Sequence, residues 1–154
     1  MTMQFMEKEI HQFLGMIWEA QLNLPLQPRP LAPEAPPECT CRCAIQISGG
    51  WNGWLVMDFS PELARQASER FFGVSEPKQP AEVEETLKEL ANQVGGNLKN
   101  LFSGPTRLMF PVVSLDGPSL YFPDTQLKTR LGFFSNNQPL EIRLLEYALV
   151  PDPS

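Results

Sequence analysis

EVEETLKELANQVGGNLKNLF, residues 82–102, is the stretch on which the reading of the fold turns. Val83, Leu87, Leu90, Val94, Leu98 and Leu101 recur at spacings of three and four. That is the helical period, so the spacing predicts one buried stripe along a helix over 82–102. On the opposite side Glu85, Glu89, Asn92 and Gly96 share a face, within an arc of roughly 60° at about 100° per residue. A carboxylate, a carboxamide and a bare backbone position are thereby lined up on the exposed side of an anchored helix, as a small polar reagent set would be presented to another molecule. The Gly95-Gly96 pair opposes this helix by about 1 kcal/mol per glycine relative to alanine. Something must compensate: close packing on a sheet, or close approach of a partner.

Upstream, CAIQISGGWNGWLVMDF (43–59) holds two alternating runs around Gly49-Gly50-Trp51-Asn52-Gly53, the pattern of a β-hairpin. The glycines lack the G-x-x-x-x-G-K pattern and a following helix, so they read as turn chemistry rather than a phosphate cradle. Ser60-Pro61 then opens a second helix, with Ser as N-cap, Glu62 at the positive end of the dipole and Gly73 as terminator. VSEPKQP is a short loop before the long helix. Downstream of Gly104-Pro105, the runs TRLMFPVVSL, SLYFP, LKTRLGFF and PLEIRLLEYALV read as strands. Turns are expected at Asp116-Gly117-Pro118, Pro123-Asp124 and Ser135-Asn136-Asn137. Residues 4–21 read as a further helix with Phe5, Ile10, Phe13, Leu14, Ile17 and Trp18 on its apolar face and His11 as a surface residue. The span 25–37 carries six prolines and reads as an extended connector, since proline forbids helix and sheet interior. A proline-rich ligand for a recognition domain is the alternative reading of that span. The order predicts an α+β fold, a single domain over 1–154 with helices packed on a largely antiparallel sheet.

Charge and composition narrow the function. Hydrophobic residues are 42% and charged residues 19% of the chain, with a formal net charge of −6. An acidic chain without a Lys/Arg cluster is a poor binder of nucleic acid or anionic membrane and suits a basic patch on a protein partner. No apolar run reaches the length of a membrane span, and the charged first helix does not resemble a secretory signal, so a cytoplasmic location is expected. Cys39, Cys41 and Cys43 would share one face of an extended segment. A metal site there lacks a C-x-x-C pair and a fourth ligand, and reduced thiols are the expectation; the metalloprotein reading predicts stoichiometric zinc.

These elements together resemble the CheX branch of the CheC/CheX/FliY phosphatases of bacterial chemotaxis. Three segments carry the resemblance: the strand, glycine turn, strand and serine-started helix of IQISGGWNGWLVMDFSPELARQASERFFG; the helix ELANQVGGNLKN, with Glu89-x-x-Asn92 and then Gly96-Asn97; and the proline-bearing strand RLMFPVV with Pro111. Glu85 stands where the family usually has Asp or Ser, the stretch from Asn92 to Pro111 is shorter than usual, and the single Glu-x-x-Asn fits CheX rather than a two-site CheC. The resemblance implies a phosphatase acting on a CheY-like response regulator phosphorylated on aspartate. Asn92 would orient the attacking water and Glu89 would pair with a lysine of the regulator. Gly95 or Gly96 would let the partner's backbone approach, and Glu85 would add an acidic docking contact. Mg2+ would be held by the regulator, with no cofactor or metal held by this chain. The resemblance also implies a homodimer made by joining sheet edges. The alternative on the same fold is a non-catalytic module that docks a regulator or a flagellar-switch-type partner.

Overall fold

The computed structural model describes residues 3–31, 40–73, 79–116 and 120–148, with side chains from Met6 onward. Cys39, the loop residues 74–78 and the expected turn residues Gly117 and Pro118 lie outside them, as does the side chain of Phe5. Three helices form: α1 (Met3–Ile17), α2 (Pro61–Phe72) and α3 (Pro80–Lys99). The seven strands are β1 (Leu26–Arg29), β2 (Cys41–Gly49), β3 (Gly53–Phe59), β4 (Thr106–Leu108), β5 (Val112–Ser114), β6 (Thr125–Ser135) and β7 (Gln138–Tyr147). All pair antiparallel in one sheet of order β1-β6-β7-β3-β2-β4, with β5 also on β2.

Alternation along the strands divides the sheet into two faces. Cys43, Ile45 and Ile47 of β2, Leu55, Met57 and Phe59 of β3, Phe133 of β6 and Leu140, Ile142 and Leu144 of β7 enter the main core. The helices meet them there with Ile10, Leu14, Trp18, Leu63, Ala67, Leu87, Leu90, Val94 and Leu98. The indole N–H of Trp18 is satisfied in that interior by Ser135 Oγ at 2.9 Å. On the other face Asp58 bridges Arg42 and Arg143, at 2.6 and 2.8 Å, and Glu141 accepts from Arg130 at 2.9 Å. Beside that ionic row lies a smaller cluster of Ala44, Val56 and Leu145 with Trp54, Val112 and Phe122.

Local signals translate directly where chemistry is local. Ser60 Oγ accepts from the Leu63 N–H at 3.0 Å, and Gly73 ends α2 at φ 74°. Asn136 and Asn137 take φ 50° and 65° between β6 and β7, the positive pair that a two-residue hairpin turn demands.

Elsewhere the tertiary pairing redraws the reading. The first helix runs on through a π-helical turn at Trp18–Leu22 and stops at Asn23, which adopts φ 49°. The start of the proline-rich span is an edge strand rather than plain connector: Leu26–Arg29 pairs with β6, and Pro28 is tolerated because β1 is an edge. Residues 32–37 of that span are outside the described set. TRLMFPVVSL is two short strands, and Leu120–Pro123 forms none. Helix α3 begins at Pro80 and ends at Lys99, so Leu101 and Phe102 lie beyond it, where Phe102 stacks on Trp51 at 5.1 Å. His11 is half-buried with its ring 4.9 Å from Phe133, not a free surface residue.

Candidate functional site

The exposed face of α3 is the candidate site, and its rigidity originates on the opposite side. Pro80 sits in the first turn, and the Glu82 carboxylate accepts from the Gln79 N–H at 3.4 Å. Thr86 donates to the Glu82 carbonyl at 2.9 Å and lies 3.3 Å from Ser68 Oγ, a buried polar contact tying α3 to α2. Leu87, Leu90, Val94 and Leu98 are fully buried; Val83 and Leu101 pack at the margin. Gly95 completes the contact. A Cβ there would stand 3.0 Å from Ile45 Cγ2 and 3.4 Å from Leu108 Cδ2. This is a correction to the reading of Gly95 as a partner-facing residue: it is buried against the sheet, where the missing side chain lets helix and strands approach.

Gly96 is different. A Cβ on it would meet nothing within 4 Å, so it stays on the open face with the other residues read from the sequence. Glu85 and Asn92 are exposed and Glu89 is half-buried. The Glu89 carboxylate accepts from Gln93 Nε2 at 3.2 Å, which steadies it along the helix. The Asn92 side chain makes no hydrogen bond among the described residues, leaving its carbonyl and amino groups available. Asn97 donates to the Gln93 carbonyl at 3.0 Å and is thereby turned along the helix. Lys88 is exposed next to this face, a residue that sequence reasoning passed over because a lone lysine on a helix carries no pattern.

The cysteines belong to the core. Cys41 and Cys43 are buried on the helix-facing side of β2, and the Cys41 thiol lies 3.6 Å from the Leu115 carbonyl. Burial pushes the Cys43 thiol far up from its ordinary value, with the negative Asp58 adding to the effect. Burial also raises Cys41, partly offset by a hydrogen bond involving Thr40. Such thiols are poor nucleophiles and poor ligands. An open cleft of about 390 Å3 lies by β1 and β6, lined among others by His11, Arg29, Leu31 and Arg130; no α3 residue borders it.

The sheet edge beside α3 is broken between β4 and β5. In register, Ile47 faces Leu108 while Ala44 faces Val112. Met109, Phe110 and Pro111 therefore oppose only Ile45 and Gln46, which is a β-bulge between β4 and β5 along one edge of β2. Pro111 within an alternating apolar run was the available signal, since proline in a strand marks an edge or a bulge.

With this geometry in hand, the family described as chemotaxis phosphatase CheX matches residues 41–121, from β2 through α3 and the strands after it. The chain belongs to this family. No curated protein matches it in sequence. Among solved structures, CheX of Desulfovibrio desulfuricans is similar with a TM-score of 0.76 at 14% identity, over 92% of this chain and 99% of that one. CheX of Vibrio vulnificus is similar with a TM-score of 0.75 at 18% identity, over 91% and 95%. The CheX–CheY–BeF3–Mg2+ complex of Borrelia burgdorferi aligns with a TM-score of 0.68 at 12% identity, over 90% and 95%. At these identities the structures establish the shared α+β architecture. No helix of the described residues is long and apolar enough to cross a membrane.

Proposed function

We propose that this chain dephosphorylates a CheY-like response regulator, with Asn92 and Glu89 as the residues that enter the regulator's phosphorylation site. The observation that carries the reading is the placement of an accessible, unbonded carboxamide one turn from a steadied carboxylate on a helix locked to its own sheet by Gly95. Family membership supports the reaction class, and the Borrelia burgdorferi CheX–CheY complex supports the kind of partner.

The chemistry asks little of the phosphatase. Hydrolysis of an aspartyl phosphate adds the oxygen of water to phosphorus and breaks the P–O bond to the aspartyl carboxylate, which leaves as an anion. Positioning dominates such transfers. The Asn92 carboxamide donates and accepts at once, so it holds a water in line without removing its proton. Glu89 forms a charge-assisted pair with a lysine at the regulator's site, fixing the helix in register. Mg2+ on the regulator's side neutralises phosphoryl oxygens. Glu85 extends the acidic contact by one turn, and Gly96 admits the partner's backbone. The reading puts the chain in the cytoplasm with its regulator. It also proposes a homodimer joined at the β1 end of the sheet, where β1 leaves one side without a strand partner among the described residues.

The test is the rate of phosphate loss from a CheY-type regulator of the source organism, charged with a small-molecule phosphodonor. Native chain accelerates the loss, and Asn92→Ala and Glu89→Ala each lower that acceleration by about 100-fold while the circular dichroism spectrum is retained. Complex formation without any rate change would instead establish the non-catalytic docking module. Sedimentation showing only monomer would remove the homodimer.

A further inference from the structure

The exposed face of α3 is polar throughout: Glu85, Lys88, Glu89, Asn92 and Gly96 offer orientation but little apolar area. Tight protein contacts generally rest on a few aromatic or aliphatic anchors that fill a pocket on the partner. One such group is on the β4–β5 bulge. Phe110 is 89% exposed; Met109 donates its N–H to the Gln46 carbonyl at 2.9 Å, stays in register with Gln46 and so turns to the sheet face away from α3. The height of Phe110 along α3 is fixed by two contacts. Leu108, immediately before the bulge, and Ile45, opposite it on β2, are the residues packed against Gly95. The bulge therefore flanks the helix at Gly95, one residue from Gly96 and less than one turn from Asn92.

We propose that Phe110 is the apolar anchor for the same phosphorylated regulator, seated beside α3 while Asn92 and Glu89 enter its phosphorylation site. This rests on the functional reading above and extends it, by assigning binding strength to a segment outside the helix. The regulator is favoured over a second copy of this chain by the shape of the edge. Strand addition needs an unbroken row of free backbone groups, whereas the extra residue of the bulge breaks the row and Pro111 has no N–H to contribute. What the bulge offers is the exposed ring of Phe110, opposite Ile45 and beside α3 at Gly95.

Phe110→Ser is the test variant, and its exposure makes folding insensitive to it. Tyr121→Ser, at an aromatic that is 79% exposed on another segment, controls for general loss of surface hydrophobicity. The measurements are the affinity for a CheY-type regulator loaded with BeF3 and Mg2+, steady-state dephosphorylation, and mass by sedimentation. Phe110→Ser is expected to weaken binding and raise KM about tenfold with kcat unchanged, because an anchor remote from the reacting atoms contributes equally to ground and transition states. Tyr121→Ser is expected to change neither, and neither variant alters the mass. Unchanged affinity for Phe110→Ser overturns the proposal, as does a change of oligomeric mass, which would give the bulge to a second copy. If the native chain binds no CheY-type regulator, the functional reading fails and the anchor falls with it. Binding by the native chain together with an inert Asn92→Ala variant leaves the anchor test fully readable.

Discussion

The two adjacent glycines of α3 make opposite predictions. Each opposes the helix by about 1 kcal/mol relative to alanine, so each substitution begins with that gain. At Gly96 the new methyl group meets nothing within 4 Å and the gain is kept. Gly96→Ala should therefore stabilise by about 1 kcal/mol, raising Tm by about 2–4 °C for a domain of this size. At Gly95 the methyl group would lie 3.0 Å from Ile45 Cγ2 and 3.4 Å from Leu108 Cδ2. Overpacking of this kind costs about 1–3 kcal/mol, so Gly95→Ala should fall between no change and a loss of about 2 kcal/mol. Urea titration and thermal melts read the stabilities; phosphate release from a charged CheY-type regulator reads the function. On the proposed function the stabilised Gly96→Ala chain should turn over more slowly, because its methyl group would stand where the partner's backbone is to approach. Equal stabilisation at both positions would refute the helix–sheet packing argument. A Gly96→Ala chain that is more stable and fully active would refute the role of Gly96 in partner approach.

Two further outcomes follow from the interior. Asp58 is 5% exposed between Arg42 and Arg143, so Asp58→Ala leaves two half-sheltered guanidinium groups without their shared carboxylate. The expected loss is about 3 kcal/mol. That corresponds to a Tm lower by roughly 6–12 °C; a loss below about 1 kcal/mol would show the row to be solvated. Cys43 titrates above its ordinary range in the folded chain, so above about pH 9 the unfolded chain binds fewer protons than the folded one. Stability should then fall with rising pH at up to about 1.4 kcal/mol per unit, and Cys43→Ala should flatten that slope in urea titrations between pH 8 and 10.5.

The legible parts of this protein were those written in local patterns. The stripe Leu87, Leu90, Val94 and Leu98 fixed the buried side of α3 and thereby put Glu85, Glu89, Asn92 and Gly96 on the open side, because a helix allows no other arrangement at 3.6 residues per turn. Ser60 and the Asn136-Asn137 turn were equally readable, since caps and tight turns are made by residues near in sequence. Gly95 was not readable this way. It lies about 100° from the centre of the stripe, on its flank, where periodicity permits either burial or exposure; Ile45 and Leu108 close that flank only once β2 and β4 lie side by side.

The same holds for the sheet edges. The sequence by itself determined that 25–31 is extended and that 106–115 is strand-like, because proline and alternation act on the local backbone. Only the tertiary structure decided that Leu26–Arg29 closes one end of the sheet against β6, and that the opposite end is broken at Met109–Pro111 with Phe110 turned outward beside the site. Pairing of strands a hundred residues apart is set by which partner completes the shared core, and no short window of sequence contains that choice.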